Sequence, residues 1–393
     1  MVEENGMKRI VFIFFLVVSS SLSKAQQIRI GIFNSQKVSS ARFTPKNGTY
    51  FLFSDTNFVC KATDSDIIEV KASIHEQIEL KINGNSFNNY SNLAFLSEKN
   101  ENYIEIKSTQ PSLKPRFYEG DFVVSNKKGF LDIVNEIDIE QYLEGVIESE
   151  AGPGQNTEYY KVQAIISRTY AVRYWEKHKS SGFNLCDGTH CQAYLHKRNQ
   201  TSLIDSAVKY TRRMVLYDST KLLSSTFFNA NCGGQTCEPD AVWNQKIDGF
   251  SSFRDTFCIR TAQANWTKKI PLKDWFSFIQ DKYHFPTWDS LSYELAINFN
   301  QNERKSFYIN PVYGIPLRDL RESFKLKSTY FNCRKEGEFI VLKGKGFGHG
   351  VGLCQEGAMN MAKYGYRHEQ ILSFYYPNRK LMEIPISPFF PRK

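Results

Sequence analysis

Three groups of residues in this chain have types and spacings that could do chemistry. The first is one acid, Glu150, at the end of DIEQYLEGVIESEAGPG, residues 138–154. Ile139, Tyr142, Leu143, Val146 and Ile147 recur at the interval of an amphipathic helix, with Asp138 at its N-cap and Gln141 at N3. At about 100° per residue, Glu150 falls on the apolar face with Ile139, Leu143 and Val146, whereas Glu144 and Glu148 fall on the other side. A carboxyl against apolar surface is disfavoured as the anion, so it keeps its proton nearer neutrality, as a general acid must. The rival reading ends the helix near Ser149 and lets Ala151, Gly152 and Pro153 turn the acid into water; periodicity alone favours that one.

The second group is Cys186, His190 and Cys191, two thiols and an imidazole within six residues, with His178 upstream. Four such donors make a closed tetrahedral zinc site, structural because no position is left for water. His178 is the weakest of the four, since a histidine at a helix end is ordinary. The alternative use of cysteine is disulfide pairing or burial as free thiols. The chain has eight: Cys60, Cys186, Cys191, Cys232, Cys237, Cys258, Cys333 and Cys354, and an even count in an exported protein suits bridges. Cys232 and Cys237 offer a second cluster.

The third group is GKGFGHGVG, residues 344–352. Glycine at every second position leaves one side of an extended segment bare, and a backbone or a flat sugar could lie there. No Gly-Lys-Ser/Thr is present at the right spacing, so it is not a phosphate loop. His349 either hydrogen-bonds a ligand or is satisfied inside the loop, and Gln355 opens a helix just beyond.

Outside these groups, a long helix is expected from about Asn156 or Thr157 through Lys179, apolar at Tyr159, Tyr160, Val162, Ile165, Ile166, Tyr170, Val172 and Trp175. Within it Arg168 stands among apolar neighbours and either snorkels to the surface, the favoured reading, or pairs with a carboxylate. Upstream, IRIGIF, TYFLF, DIIEVKA, QIELKI, NYIEIKS and DFVVSN read as strands between turn clusters, and GFLDIVNEI reads as a strand leading into the Glu150 helix, so both regions can share a core. The expected fold class is α+β: a β-rich region over residues 26–125, then a mixed α/β region over 126–393. Residues 1–25 read as a secretory signal peptide: Lys8 and Arg9, the apolar run Ile10 to Val18, then small residues with cleavage after Ala25. That run is short of the roughly 20 residues a span needs, and nothing further along could cross a bilayer. The destination is periplasmic or otherwise extracytoplasmic. Loss of Glu3, Glu4, Lys8, Arg9 and Lys24 takes the net charge from +9 to +8, a mild excess suited to an anionic polymer, with no basic run or aromatic-basic motif that argues for nucleic acid.

The motifs YLEGVIESEAGP, KVQAIISRTYAV, DGTHCQAY (187–194), NANCGGQT (229–236) and GKGFGHGVGLCQEGAMNMAKYG (344–365) together resemble the SpoIID/LytB family of peptidoglycan-remodelling proteins, in the family's order. The resemblance implies a lytic transglycosylase with Glu150 as its catalytic acid and Arg168 as a substrate-binding residue that positions the sugars or stabilises charge. It also implies that His349, Gln355, Gly348 and Gly350 meet the sugars, and that zinc can sit on Cys186, His190, Cys191 and His178. The substrate implied is peptidoglycan glycan strands stripped of stem peptides, and the partner a cell-wall amidase. The other activity in the family is amidase enhancement, in which glycan is bound without being cut.

Overall fold

The computed structural model of the chain describes residues 26–73, 75–195 and 202–384. The signal segment, residues 1–25, lies outside them. Strands in which buried side chains largely alternate with more exposed ones build most of the first third. The strands are β1 (Gln27–Ile32), β2 (Ser40–Asn47), β3 (Tyr50–Ser54), β4 (Asn57–Ala62), β5 (Ile68–Ala72), β6 (Ile78–Ile82), β7 (Asn85–Tyr90), β8 (Asn92–Ser97), β9 (Tyr103–Gln110), β10 (Arg116–Glu119), β11 (Asp121–Lys127) and β12 (Phe130–Asp138). One sheet runs β1, β12, β11, β8, β3, β4, and the other β10, β9, β2, β5, β6, β7. Their inner faces meet, with Phe43 of β2 stacked on Phe95 of β8 at 4.7 Å between ring centroids. Strand β2 was not legible because Pro45 interrupts it, and the chain accommodates the proline with a bulge against β9. Strand β7 is an exposed polar edge of asparagines, which reads as a turn.

Strand β12 runs directly into helix α1 (Ile139–Ala151), and five residues later α2 (Thr157–Arg173) returns across it. Asp138 caps α1, its Oδ1 accepting from the Glu140 and Gln141 N–H groups at 2.8 and 3.4 Å, and Asn156 caps α2 through Glu158 N–H at 2.8 Å. The apolar faces of both helices join the inner face of the sheets in one core that includes Ile28, Ile133, Leu143, Val146, Ile165 and Ile166. Helix α2 stops six residues short of Lys179. Tyr174 N–H closes the last turn on Tyr170 O at 2.9 Å, and a run of turns then carries His178 back beside residues 185–191. Leu185–Cys186 adds a parallel edge to β1, so the Cys/His loop is stitched to the same sheet.

A separate core forms over residues 266–342 around Trp275, which is fully buried. Strands Asn265–Pro271, Phe339–Lys345, Phe331–Glu336 and Asn298–Phe299 form its sheet, backed by helices Leu272–Tyr283, Ser290–Ile297 and Leu317–Ser323. The chain is thus α+β with several sheets. Among the described residues no helix is long and apolar enough to cross a membrane.

Candidate active site

Glu150 lies in the last turn of α1, which continues to Ala151 and is closed by Gly152 at φ 68°. The helix does not end before the acid, because Gly152 N–H still reaches Glu148 O at 3.1 Å and the Tyr160 hydroxyl donates to Gly152 O at 2.8 Å. The carboxyl is half-buried. Ala193 N–H donates to Oε1 at 2.7 Å, and no hydrogen bond to Oε2 is present among the described residues. Burial raises its pKa above the ordinary 4.5, opposed in part by the Ala193 donor. The buried Tyr159 hydroxyl on α2 feels that carboxylate and lies beside the Gln355 amide, and burial pushes its own pKa up. Tyr159 donates to Gln163 Oε1 at 3.2 Å. Gln355, at the start of helix Gln355–Lys363, is buried and its Nε2 has no hydrogen-bond partner among the described residues. Glu150 and Gln355, distant in sequence, therefore flank one tyrosine.

Glu148 departs from the helical-wheel expectation: it is buried, and both α2 and helix Ser202–Tyr210 pack against α1, covering more of its circumference than the wheel alone allowed.

Arg168 is not available to a ligand. It is 1% exposed and its guanidinium clasps Glu140 in the first turn of α1, Nε to Oε1 at 3.0 Å and Nη2 to Oε2 at 2.5 Å, with Nη1 donating to Met214 O at 3.1 Å. The side chain pairs with a carboxylate instead of snorkelling, and the helical register places that partner at the opposite end of α1 from Glu150. The sequence signal was Glu140 itself, an acid in a first turn.

The glycine motif is also turned inward. A Cβ on Gly348 would stand 2.9 Å from Asn229 Cβ, one on Gly350 2.9 Å from the Arg304 guanidinium carbon, and one on Gly346 2.6 Å from Asn231 O. The bare side is filled by the chain's own segment 227–233, which bridges Asn231 to Phe347 and runs parallel from Phe228 beside Leu353. Gly348 and Gly350 are therefore required for close packing within the chain and do not present an open sugar platform. His349 is satisfied inside this loop. Its Nδ1 accepts from Val351 N–H at 3.0 Å, which leaves the proton on Nε2 facing Phe228, and burial, with Arg321 and Arg304 nearby, lowers its pKa to about 4. It is a neutral histidine at physiological pH.

The four residues singled out for metal do converge. His178 Nε2 lies 3.4 Å from Cys191 Sγ, and His190 Nδ1 lies 3.8 Å from Cys186 Sγ and 3.9 Å from Cys191 Sγ, with all four donor atoms within 4.8 Å of one another. Tetrahedral bonds of about 2.0–2.3 Å place S and N ligands about 3.5 Å apart, so the donor set fits zinc. The loop they close is rigid on its other side: Asp187 Oδ2 accepts from Phe33 N–H at 2.6 Å and Arg116 at 2.5 Å, and Gln192 accepts from Tyr142 at 3.3 Å and donates to Ser167 O at 3.2 Å. Two residues beyond Cys191 is Ala193, the donor to Glu150. Cys237 does not join Cys232; its N–H bonds Gly350 O at 2.8 Å, and all eight cysteines are free.

A family model described as SpoIID, stage II sporulation protein, matches residues 127–217, the span holding α1, α2 and the Cys/His loop. An uncharacterized protein of Brachyspira hyodysenteriae is 28% identical over 265 residues, 66% of this chain and 70% of its own length. The stage II sporulation protein D of Bacillus subtilis is 27% identical over 270 residues, 64% and 76% of the two chains. These matches support the SpoIID/LytB family as the one this chain resembles. A second B. subtilis relative, named amidase enhancer, is 24% identical over 292 residues, 61% of this chain but 40% of its own length. The region that the family model matches is held together by the Glu140–Arg168 pair at one end of α1 and by the Ala193–Glu150 hydrogen bond at the other.

Two outcomes are expected. Arg168→Ala strands Glu140 against buried surface and should cost about 3–5 kcal/mol in denaturant unfolding, most of it recovered when Glu140→Gln and Arg168→Met replace both partners together; a loss below about 0.5 kcal/mol would mean that the pair is not structural. Glu150 has a folded-state pKa above its unfolded value of 4.5, so its contribution to stability is most favourable below that pH and declines as pH rises through 4.5 toward the native pKa. Glu150→Gln keeps the oxygen that Ala193 binds and cannot ionise, so thermal unfolding should show it more stable than wild type at pH 7 and indistinguishable from it at about pH 3.5.

Proposed function

We propose that this chain is a lytic transglycosylase that cuts the bond between N-acetylmuramic acid and N-acetylglucosamine in peptidoglycan strands, acting outside the cytoplasmic membrane. One observation carries the reading: Glu150 is half-buried with a raised pKa, and its single backbone donor on Oε1 leaves Oε2 free for a ligand. Hydrolysis of a glycoside ordinarily takes two carboxylates, but a lytic cleavage needs one. Glu150 gives its proton to the glycosidic oxygen as the bond to C1 of the muramic sugar breaks. As carboxylate it then takes the proton of that sugar's 6-hydroxyl, whose oxygen closes on C1 to form the 1,6-anhydro ring. Proton and bond counts balance without water.

The remaining residues divide by what they touch. Gln355 is buried beside Tyr159, so it bears on the acid through that tyrosine and not through direct contact with the sugar. Arg168 acts through Glu140 as a positioning residue, and neutral His349 holds the glycine loop. Zinc on His178, Cys186, His190 and Cys191 would supply a fixed, charge-neutralising clip and no chemistry at the scissile bond, because four protein ligands fill its shell. That clip would set where Ala193 N–H points and so set the proton affinity of Glu150.

A second reading rests on the relative named amidase enhancer: the same region around Glu150 would hold stripped glycan for a cell-wall amidase without cutting it. Mass spectrometry of soluble products from amidase-stripped strands separates the two. The enzyme should release fragments ending in 1,6-anhydro-N-acetylmuramic acid, and Glu150→Gln should slow their release by about 10²–10⁴-fold while still pulling down the strands. Reducing ends would mean a hydrolase, and binding without products would leave only the enhancing role.

For the zinc clip, Cys191→Ser should lose about one equivalent of metal and speed hydrogen exchange at the Ala193 amide. Unchanged exchange would uncouple the loop from the metal.

A further inference from the structure

A buried carboxylate needs a cation or a full set of donors, and Asp255 has neither in ordinary form. It is 0% exposed and makes no ion pair among the described residues. Its Oδ1 accepts from Phe257 N–H at 2.9 Å, and its Oδ2 accepts from the Tyr375 hydroxyl at 2.8 Å. What faces it is sulfur. Cys232 Sγ lies 3.3 Å from Asp255 Oδ2 and 3.4 Å from Cys258 Sγ. With Cys354, the four donor atoms lie within 4.8 Å of one another, and all four residues are buried.

We infer that Cys232, Asp255, Cys258 and Cys354 form a second, thiolate-rich zinc site. Zn–S bonds of about 2.3 Å and a Zn–O bond of about 2.0–2.2 Å put tetrahedral S···S and S···O edges at about 3.8 and 3.5 Å, a few tenths of an ångström beyond the two observed. Backbone donors lie beside two of the sulfurs. Cys232 N–H points at Cys354 Sγ at 3.3 Å. Gly234 N–H lies toward Cys258 and Gly233 N–H is held by Asn231 Oδ1 at 2.7 Å, and both glycines are left-handed, φ 72° and 95°. Backbone donors aimed at sulfur stabilise thiolate, the form that binds metal. Tyr375 fixes the second carboxylate oxygen in the way outer hydrogen bonds orient metal-bound carboxylates. Helix Gln355–Lys363 lies directly against the ligand, since a Cβ on Gly357 would stand 2.6 Å from Asp255 Oδ2 and 2.3 Å from the Tyr375 oxygen. Arg304, donating to Cys232 O at 2.6 Å, offsets the excess negative charge of three thiolates and one carboxylate on a divalent ion.

The competing use of these sulfurs is a Cys232–Cys258 disulfide. That bond would satisfy two of them and leave Cys354 and a buried carboxylate facing each other with no cation, whereas one tetrahedral ion takes all four. Thiolate donors select zinc over calcium or magnesium. The ion would join three segments far apart in sequence: the turn after Phe228–Asn229, the 255–258 loop and the junction where Cys354 passes into Gln355. It would therefore hold Gln355 against α2, independently of whether the chain cuts glycan.

Native mass spectrometry of the full mature chain, purified without chelator, is the test. It should show about two zinc ions per chain, falling to about one in the Cys186→Ser/Cys191→Ser variant and also to about one in Cys258→Ser/Cys354→Ser. A non-reducing peptide map of wild type keeps the inference falsifiable if either variant misfolds. It should find Cys232, Cys258 and Cys354 as thiols, with no bridge among them. A Cys232–Cys258 disulfide peptide, or a single zinc that disappears with Cys186 and Cys191, would overturn the second site.

Discussion

An acid can be kept on the apolar face of a helix only if other contacts hold that helix in place. Here the holding is done by the bidentate pair between Glu140 and Arg168. The pair fastens the start of α1 to the far part of α2, and Tyr160 to Gly152 O fastens the turn between them. With both ends fixed, the side chain of Glu150 has little freedom to swing into water, and its raised pKa is a consequence of position. The energy of a buried ion pair is mostly the cost of breaking it, which suits a residue whose task is to define a register between two helices.

The acid's other constraint comes from outside the helix pair. Ala193 N–H is the one donor on Glu150 among the described residues, and its direction is set by a loop closed on four sides: an edge pairing to β1, the Asp187 bonds to Phe33 and Arg116, the Gln192 bonds to Tyr142 and Ser167, and the Cys/His convergence. A single donor matters because it works against desolvation. Each ångström by which the loop retreated would weaken that opposing hydrogen bond and push the acid further toward its neutral form.

How much of this was legible in the sequence depended on whether a residue's partner was local. Asp138 as a cap, the apolar spacing of α1, the strand that enters it and the Cys-x-x-x-His-Cys run are short-range patterns, and they stand where the spacing put them. Glu150 itself was ambiguous from periodicity, because the end of a helix depends on contacts made beyond its last turn, and here Tyr160 supplies one. Arg168 was read outward because its partner lies 28 residues away and an arginine among apolar neighbours looks the same in either state. The alternating glycines correctly announced a bare surface. Only the fold could say that segment 227–233 occupies it. Cys237 was paired with Cys232 on sequence proximity alone, whereas the sulfurs that gather around Cys232 come from 26 and 122 residues downstream.

The glycine motif is filled from within, His349 is neutral with both ring nitrogens facing backbone, and Arg168 is enclosed. Among the described residues Glu150 Oε2 has no hydrogen bond, and Gln355 Nε2 is buried without one. Tyr159 and Gln355 are both buried, so they back the half-buried Glu150 without themselves reaching a ligand. On these grounds the glycine loop contributes by shape, keeping Cys354 and hence Gln355 at a fixed depth, and the charged residues contribute by holding the two helices that carry the acid and the tyrosine.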